Sequence, residues 1–116
     1  MAQDKILRGG HRLITFLQQG RASGVAVLIH KRHVRTNISK HQISERCMAL
    51  DVKIGKKIIR IIAVYLPHAG YPWQDFQACM DDITALAMEA QDRGYYTTMA
   101  GDFNLWFFMK DGEEKL

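Results

Sequence analysis

The sequence predicts an α/β fold of the α+β sandwich type, in which one long amphipathic helix covers a mixed sheet. Three observations lead to this prediction. Short runs rich in Ile and Val are separated by turn residues, a period-two pattern ends at Gly55-Lys56, and an apolar stripe with helical spacing follows Pro72. Strands interrupted by one helix are typical of a sheet that a helix covers on one face.

The composition is that of one ordinary globular domain. The chain has 116 residues, of which 47% are hydrophobic and 24% are charged. Cys47 and Cys79 lie far apart without metal-ligand spacing, so we expect two reduced core thiols in an intracellular protein. We expect no membrane partner, because no apolar run approaches the roughly 18 residues of a membrane span. Residues 1–10 also lack the apolar region of a secretory signal.

The charge is positive and unevenly placed. The formal net charge is +4 and the isoelectric point is about 9.2. Basic side chains crowd residues 31–46, whereas residues 75–92 are acidic. The crowded basic side chains are Lys31, Arg32, His33, Arg35, Lys40, His41 and Arg46. This charge balance is compatible with an anionic partner such as nucleic acid without demonstrating one, and the uneven placement is more typical of two solvated faces of opposite sign.

The first half of the chain predicts short strands. Residues 1–10 are polar and end in glycine, so we expect a loose lead-in, followed by a short strand over residues 13–17. Residues 24–30 form a nearly continuous apolar run, which predicts a strand buried on both faces. Residues 34–38 are a weaker, basic candidate, which we expect near a sheet edge.

The centre of the chain predicts a β-hairpin. Residues 47–54 alternate between two sets of side chains, a pattern that indicates a strand with one buried face. Gly55-Lys56 provides a tight reversal, because glycine readily adopts the positive φ of such turns. Residues 57–66 are rich in Ile and Val and should form a central strand, which Pro67 ends because proline cannot donate to a ladder.

A helix and a last strand follow. Pro72 suits the first turn of a helix, and Gly94 suits the position just after its end. The predicted buried stripe consists of Trp73, Phe76, Met80, Ile83, Ala87 and Ala90. Residues 95–100 then predict a strand that carries Gly101-Asp102-Phe103-Asn104 at its C-terminal end. The unit from Ile58 to Ala100 can join neighbouring or parallel strands of one sheet.

Asp102 and Asn104 are the first candidates for chemistry. Residues two apart on an extended chain point to the same face, which would place a carboxylate beside a carboxamide. A carboxylate can orient water or bind a metal, and an amide can hold a phosphate oxygen. Open α/β sheets usually bind ligands beyond the carboxyl ends of their strands. By composition alone, Gly-Asp-x-Asn is also typical of a simple turn.

Tyr65 and His68 end the preceding central strand. A tyrosine at a strand end can donate a hydrogen bond to a phosphate or a leaving group, although a ring in the core with a wet hydroxyl is commoner. His68 lies next to the loop residues Ala69 and Gly70, a setting more typical of a surface histidine.

Taken in order, these motifs resemble the endonuclease/exonuclease/phosphatase superfamily. The resemblance consists of a strand ending in Tyr65-Leu66-Pro67, an amphipathic helix, and a strand ending in Gly101-Asp102-Phe103-Asn104. Ser23-Gly24-Val25-Ala26-Val27-Leu28 is similar to that family's Gly-Val-Ala strand. Within the superfamily, the chain is most similar to endonuclease domains of LINE-type retroelements, which are themselves similar to apurinic/apyrimidinic endonucleases. The resemblance covers residues 11–105 and leaves residues 106–116 as a C-terminal tail.

The resemblance implies roles for five residues in cutting DNA with Mg²⁺ or Mn²⁺. Asp102 would position the attacking water near the metal, and Asn104 would contact the scissile phosphate. Tyr65 would lie near the phosphate or the leaving oxygen. His68 stands where several relatives carry Asn, and Arg46 matches a basic residue that faces the nucleic-acid backbone. The resemblance also implies that the remainder of a retroelement polyprotein is a partner.

Other parts of the family's catalytic set have no counterpart here. The family's metal-binding Glu should precede Gly24, but the first Glu is Glu45, and no histidine follows Asn104. One carboxylate and one amide are few ligands for a hard cation, so the metal ligands are unassigned and we expect weak or no activity. Alternatives are a catalytically dead nucleic-acid-binding module, a phosphatase branch of the fold, or a plain α/β domain.

The same comparison with the family predicts a partial fold. We expect the segment to supply mostly one sheet of the family's two-sheet sandwich. The apolar residues 106–109 should then form either a final packed strand or turn, or an unpacked tail.

Overall fold

A computed structural model describes residues 2–16, 25–68 and 70–102, which form two sheets, one α-helix and one 3-10 turn. The strands are β1 (Ala2–Ile6), β2 (Arg12–Phe16), β3 (Val25–Ile29), β4 (Asn37–Gln42), β5 (Cys47–Ile54), β6 (Lys57–Tyr65) and β7 (Tyr96–Asp102). The 3-10 turn spans Lys31–His33, and the helix α1 spans Trp73–Asp92. The predicted α+β class is therefore confirmed.

The first three strands form an antiparallel sheet in the order β1-β2-β3. β1 lies within residues 1–10, so the predicted loose lead-in is instead part of a sheet, where its polar residues tolerate an exposed edge. The expectation that β3 is buried on both faces is wrong. Its residues alternate between half-buried and exposed, and Leu28 is 57% exposed, because only one face of this sheet is covered by described residues.

The other four strands form a mixed sheet in the order β4-β5-β6-β7. The predicted hairpin is confirmed, since Ile54 pairs with Lys57 and Gly55 has a φ of 62°. The basic strand does lie at an edge, although it spans Asn37–Gln42 rather than residues 34–38. β6 is central, as predicted, and β7 pairs with it in parallel after the crossover through α1.

The four-stranded sheet carries a core on each face. Leu50 and Met48 pack with Ile14 and Phe16 of the three-stranded sheet, whereas Ala49 and its neighbours pack under α1. The first six residues of β5 are consequently all buried, so the prediction that only one face of β5 is buried is wrong. The expectation of mostly one sheet is also wrong, because two sheets and a helix form three layers.

The helix uses a face slightly different from the predicted one. Cys79, Ile83, Leu86 and Ala90 are buried, while Phe76, Met80 and Ala87 are half-buried beside them. Trp73 was expected in the stripe, but it is 67% exposed, because the first turn extends past the edge of the core. Gly94 has a φ of 73° just after the helix, which agrees with its predicted place.

A charged cluster lies within the core between the four-stranded sheet and α1. The Arg60 guanidinium is fully buried and donates to both carboxylate oxygens of Asp51, at 2.7 and 2.8 Å. It also donates to Glu89 at 2.7 Å and to the Leu86 carbonyl at 3.0 Å. The His41 ring nitrogen lies 2.9 Å from Asp51. These bonds connect three strands to the helix and satisfy a cation that burial alone would destabilise.

The two cysteines of the chain lie in the core. Cys47 and Cys79 are buried free thiols, as predicted. Burial chiefly raises the pKa of Cys47, to about 12, and it also raises that of Cys79. Neither thiol is therefore suited to act as a nucleophile.

Within the described residues, no helix is both long and apolar enough to cross a membrane.

Candidate functional site

Tyr65 and Asp102 are brought together by the pairing of two parallel strands. They are register partners at the C-terminal ends of β6 and β7, and the Leu66 amide donates to the Asp102 carbonyl at 2.8 Å. Register partners share one face of a sheet, and here that face is the one turned toward the three-stranded sheet. Both residues line a groove of about 520 Å³ between the sheets, together with Val25–Leu28 of β3 and Ala100. A phenol and a carboxylate thus stand side by side at one edge.

Gly101 is required by the close approach of these strands. It pairs with Val64 and has a φ of 141°, and a Cβ at this position would collide with the Val64 carbonyl oxygen. Gly101 and Asp102 both lie in β7, so this half of the Gly-Asp-x-Asn motif is strand rather than turn. The glycine therefore has a direct packing reason to precede Asp102.

Arg46 completes this edge from the bend just before the neighbouring strand β5. Its carbonyl accepts from the Tyr65 amide at 2.8 Å, and its guanidinium donates to the Tyr65 carbonyl at 3.1 Å. The guanidinium carbon lies 5.1 Å from the centre of the Tyr65 ring and 4.6 Å from that of Tyr71. Two aromatic rings hold the cation near the strand ends, within the distance of a cation–π contact.

His68 shapes the loop after β6. Its Nδ1 accepts from the Gly70 amide at 2.9 Å, and its carbonyl accepts from the Tyr71 amide at 3.0 Å. The His68 and Tyr71 rings meet edge to face, with centroids 4.6 Å apart. One ring nitrogen is thus engaged in the turn, and the exposed ring orients the tyrosine that contacts Arg46.

The structure unites four of the residues singled out by sequence, and it adds one that sequence reasoning missed. Contacts connect Tyr65, Asp102, Arg46 and His68 at the C-terminal ends of β6 and β7. We call these four residues, together with Tyr71, the Tyr65–Asp102 edge. The predicted partner Asn104 lies outside the described residues. Tyr71 could have been found from its position in the short loop between a candidate site strand and the helix.

The described part of the edge does not fit a tightly bound divalent cation. Among residues 2–16, 25–68 and 70–102, no three His, Cys, Asp or Glu side chains come together as a metal site. Asp102 is a suitable hard ligand, but one carboxylate is too few for a stable Mg²⁺ or Mn²⁺ site.

The basic residues of 31–46 do not form one surface. Arg46 belongs to the Tyr65–Asp102 edge, Lys40 is paired with Asp4 at 2.7 Å, and His41 contacts Asp51. Residues 31–35 lie at the other end of the four-stranded sheet, just before the start of β4. Arg46 and residues 31–35 are therefore separated by the length of a strand, although they are close in the sequence.

No protein-family model matches the chain, and no curated protein or solved structure matches it either.

Proposed function

We propose that this chain is part of a metal-dependent phosphodiesterase domain of the endonuclease/exonuclease/phosphatase type that acts on nucleic acid, with DNA as its substrate class. The observation that carries the proposal is the register pairing of Tyr65 with Asp102 at the ends of two parallel strands. The resemblance implies that both residues act at the scissile phosphate. Two residues that act at one phosphate must lie close together, as these register partners do. By the same resemblance, the remainder of a retroelement polyprotein is the proposed protein partner.

Three side chains of the edge have a chemical task in this proposal. The Tyr65 hydroxyl donates a hydrogen bond to a phosphate or leaving oxygen, and the Asp102 carboxylate orients a water molecule. The Arg46 guanidinium, held between two rings, supplies positive charge next to the phosphate. Mg²⁺ or Mn²⁺ would stabilise charge on the phosphate when bound, but the described residues offer it too few ligands.

Binding at the edge can be tested with a small phosphodiester. A dinucleotide added to ¹⁵N-labelled protein should shift the backbone amide signals of Tyr65, Leu66 and Asp102. Tyr65→Phe removes one hydroxyl and should weaken this binding by about ten-fold, the effect of losing one hydrogen bond to a charged group. Tyr96→Phe is the matched control, because Tyr96 is an exposed tyrosine near the opposite end of the same strand pair. Absence of shifts at the edge would refute the assignment.

Hydrolysis is tested separately with supercoiled plasmid and Mg²⁺ or Mn²⁺. We expect little or no nicking by this chain, because a phosphodiesterase of this type needs a held cation as well as an oriented water. Robust nicking that Asp102→Ala abolishes would show that the chain does hold a working metal site. It would overturn the expectation of weak activity while supporting the assigned chemistry.

A second candidate is a module that binds nucleic acid without cutting it. The lack of a three-residue metal cluster among the described residues favours this alternative. Dinucleotide shifts at the Tyr65–Asp102 edge, combined with no metal-dependent nicking under any condition, would be its signature. Slow nicking that depends on Asp102 would exclude it.

A further inference from the structure

Two segments that are distant in the sequence meet in one basic surface. The tight turn of residues 7–11, between β1 and β2, lies against residues 30–36, which connect β3 to β4. Together they present Arg8, His11, His30, Lys31, Arg32, His33 and Arg35, which we call the basic corner. The sequence grouped residues 31–35 with Lys40, His41 and Arg46, whereas the fold places residues 31–35 beside Arg8, His11 and His30.

Specific contacts hold the two segments together. The His11 and His30 rings lie 4.8 Å apart, and a Cβ at Gly10 would stand 3.4 Å from the Cβ of Lys31. Arg12, next to the turn, donates to the carbonyls of Val34 and Thr36 at 3.5 and 3.3 Å. Each segment is also braced internally, since the Leu7 amide donates to the His11 carbonyl at 2.7 Å and the His30 ring accepts from the Arg32 amide at 3.0 Å. The corner is therefore a preformed surface.

The charge of the corner is not neutralised by the rest of the described chain. Arg8, Lys31, Arg32 and Arg35 are exposed, and none of them forms an ion pair with another described residue. The carboxylate that borders the corner is Asp4, which is held by Arg12 at 2.6 Å and by Lys40 at 2.7 Å. The hydrogen bond from Arg12 keeps the pKa of Asp4 far below its ordinary value, so this carboxylate stays charged and engaged.

The basic corner and the Tyr65–Asp102 edge lie at opposite ends of the four-stranded sheet. The basic corner ends at Thr36, next to the first residue of β4, Asn37. Asn37 pairs with Lys53 of β5, and Lys53 pairs with Ile58 near the start of β6. Tyr65 lies seven residues further along the same strand, or about 23 Å at roughly 3.3 Å per residue. This span corresponds to about seven base pairs at roughly 3.4 Å per pair.

We infer that the basic corner is a second contact surface for nucleic acid, which binds the phosphate backbone at a distance from the Tyr65–Asp102 edge. The inference rests on nucleic acid being the partner in the proposed function. Arginine guanidinium groups match phosphate oxygens in two-pronged hydrogen bonds, and three of the four exposed charged residues are arginines. Contacts of this kind anchor a duplex without reading its sequence, so the corner would provide affinity and the edge the chemistry.

A linear polyanion fits these observations better than an anionic membrane. Interfacial membrane binding needs large exposed apolar side chains next to the basic ones. The segments 7–11 and 30–36 themselves expose no large hydrophobic residue, since Leu7 and Val34 are half-buried. The flanking residues Ile6 and Leu28 add two exposed apolar side chains rather than a continuous apolar face. A polymer can also reach a second contact some 20 Å away along the protein, at roughly one phosphate per 3.4 Å of each strand.

The test measures the affinity of a fluorescently labelled DNA duplex of about 20 base pairs over a range of salt concentrations. Arg32→Gln/Arg35→Gln should weaken binding by about ten-fold at low salt and reduce the slope of log affinity against log salt by about 2, as expected for two lost phosphate contacts. Lys57→Gln/Arg93→Gln removes the same charge from the β6 and α1 side of the protein and should change affinity less than about two-fold. Equal losses in the two variants, or none in the first, would overturn the inference.

Three controls separate this inference from others. Thermal unfolding checks that both double variants are folded, which is expected because all four substituted residues are exposed. The dinucleotide shifts at Tyr65 and Asp102 should survive Arg32→Gln/Arg35→Gln, and the duplex salt slope should survive Tyr65→Phe, so either site can fail while the other stands. Vesicles containing phosphatidylserine should bind weakly. Tight vesicle binding that depends on Arg32 and Arg35 would refute nucleic acid as the partner.

Discussion

The two faces of the four-stranded sheet stabilise the molecule by different physics. Toward the three-stranded sheet, β5 presents Met48, Leu50 and Val52, and the contacts there are almost entirely apolar. Toward α1, the same strand presents Cys47 and Ala49 followed by Asp51, which holds the buried Arg60. The apolar face depends on volume and tolerates changes that conserve it. The charged face depends on the presence of every partner, because a buried cation without its carboxylate is costly.

The comparison also shows what aligns the helix with the sheet. Apolar packing is nondirectional, whereas Arg60 reaches Asp51 on β5 and both Glu89 and the Leu86 carbonyl on α1. These directional bonds fix the position of the helix along β6. The crossover through this helix in turn delivers β7, and with it Asp102, to the register that places it beside Tyr65. The charged face therefore supports the candidate site indirectly.

The largest expected effect comes from breaking the charged face at Asp51. Asp51→Ala should lower the free energy of unfolding by about 4 kcal/mol, because Arg60 is fully buried and loses both hydrogen bonds to that carboxylate. Urea denaturation followed by circular dichroism measures this loss. Asp51→Ala/Arg60→Met is the control, since replacing both partners by apolar groups should recover much of it. A loss below about 1 kcal/mol in the single variant would show that the pair is not buried as described.

A smaller effect is expected on the apolar face at Leu50, which is fully buried between the sheets. Leu50→Ala should cost about 3 kcal/mol, from lost burial and the cavity left behind. Leu50→Met conserves most of the volume and should cost less than about 1.5 kcal/mol. Unlike the change at Asp51, the cost at Leu50 should be the same at pH 7 and at about pH 3, which lies below the unfolded pKa of an aspartate. Equal costs for Ala and Met would contradict tight packing at this site.

The smallest effect should appear in the dependence of stability on pH. Burial acts to raise the pKa of Asp51, but hydrogen bonds from Arg60 and His41 outweigh it, so the pKa in the folded protein is lowered. A lowered pKa means that the carboxylate contributes stability above its unfolded value of about 4 and loses that contribution as the pH falls further. Stability should therefore decrease in acid, and less steeply in Asp51→Ala/Arg60→Met.

Some acid dependence should remain in that variant, because the hydrogen bond from Arg12 also lowers the pKa of Asp4. Adding Asp4→Asn to the double variant should flatten the profile further. If the free energy of unfolding fell equally with decreasing pH in the original protein and in Asp51→Ala/Arg60→Met, the ionisation of Asp51 would not be coupled to folding.

The parts of the fold that depend on local spacing were predictable. The hairpin at Gly55, the central strand ending before Pro67, and the helix ending before Gly94 all follow from turn chemistry and side-chain period. The helical stripe was predicted less well, since Trp73 is exposed and Leu86 is buried. Periodicity indicates which residues share a face, whereas the edge of the neighbouring sheet determines how far along the helix that face is covered.

The candidate site was predictable by residue but not by arrangement. Tyr65 and Asp102 follow from strand-end motifs, yet their adjacency depends on a parallel register set 37 residues apart in the chain. Arg46 followed only from resemblance. Its loop position makes Tyr71 a candidate, but no periodic signal predicts that the Tyr71 ring lies against Arg46. The position of Arg60 inside the apolar run Ile58-Ile59-Arg60-Ile61-Ile62 is a sequence signal of the buried charged cluster, and no prediction was made from it.

The sequence by itself determined the order of the elements from β2 to β7, the turns that separate them, and the candidate residues for phosphate chemistry, because these depend on neighbours within a few positions. Tertiary structure alone decided that β5 is buried on both faces, that residues 2–6 join a second sheet, and that Arg8 meets residues 30–36 in the basic corner. The physical reason is that burial and charge proximity arise from contacts between segments far apart in the chain, which no local pattern encodes.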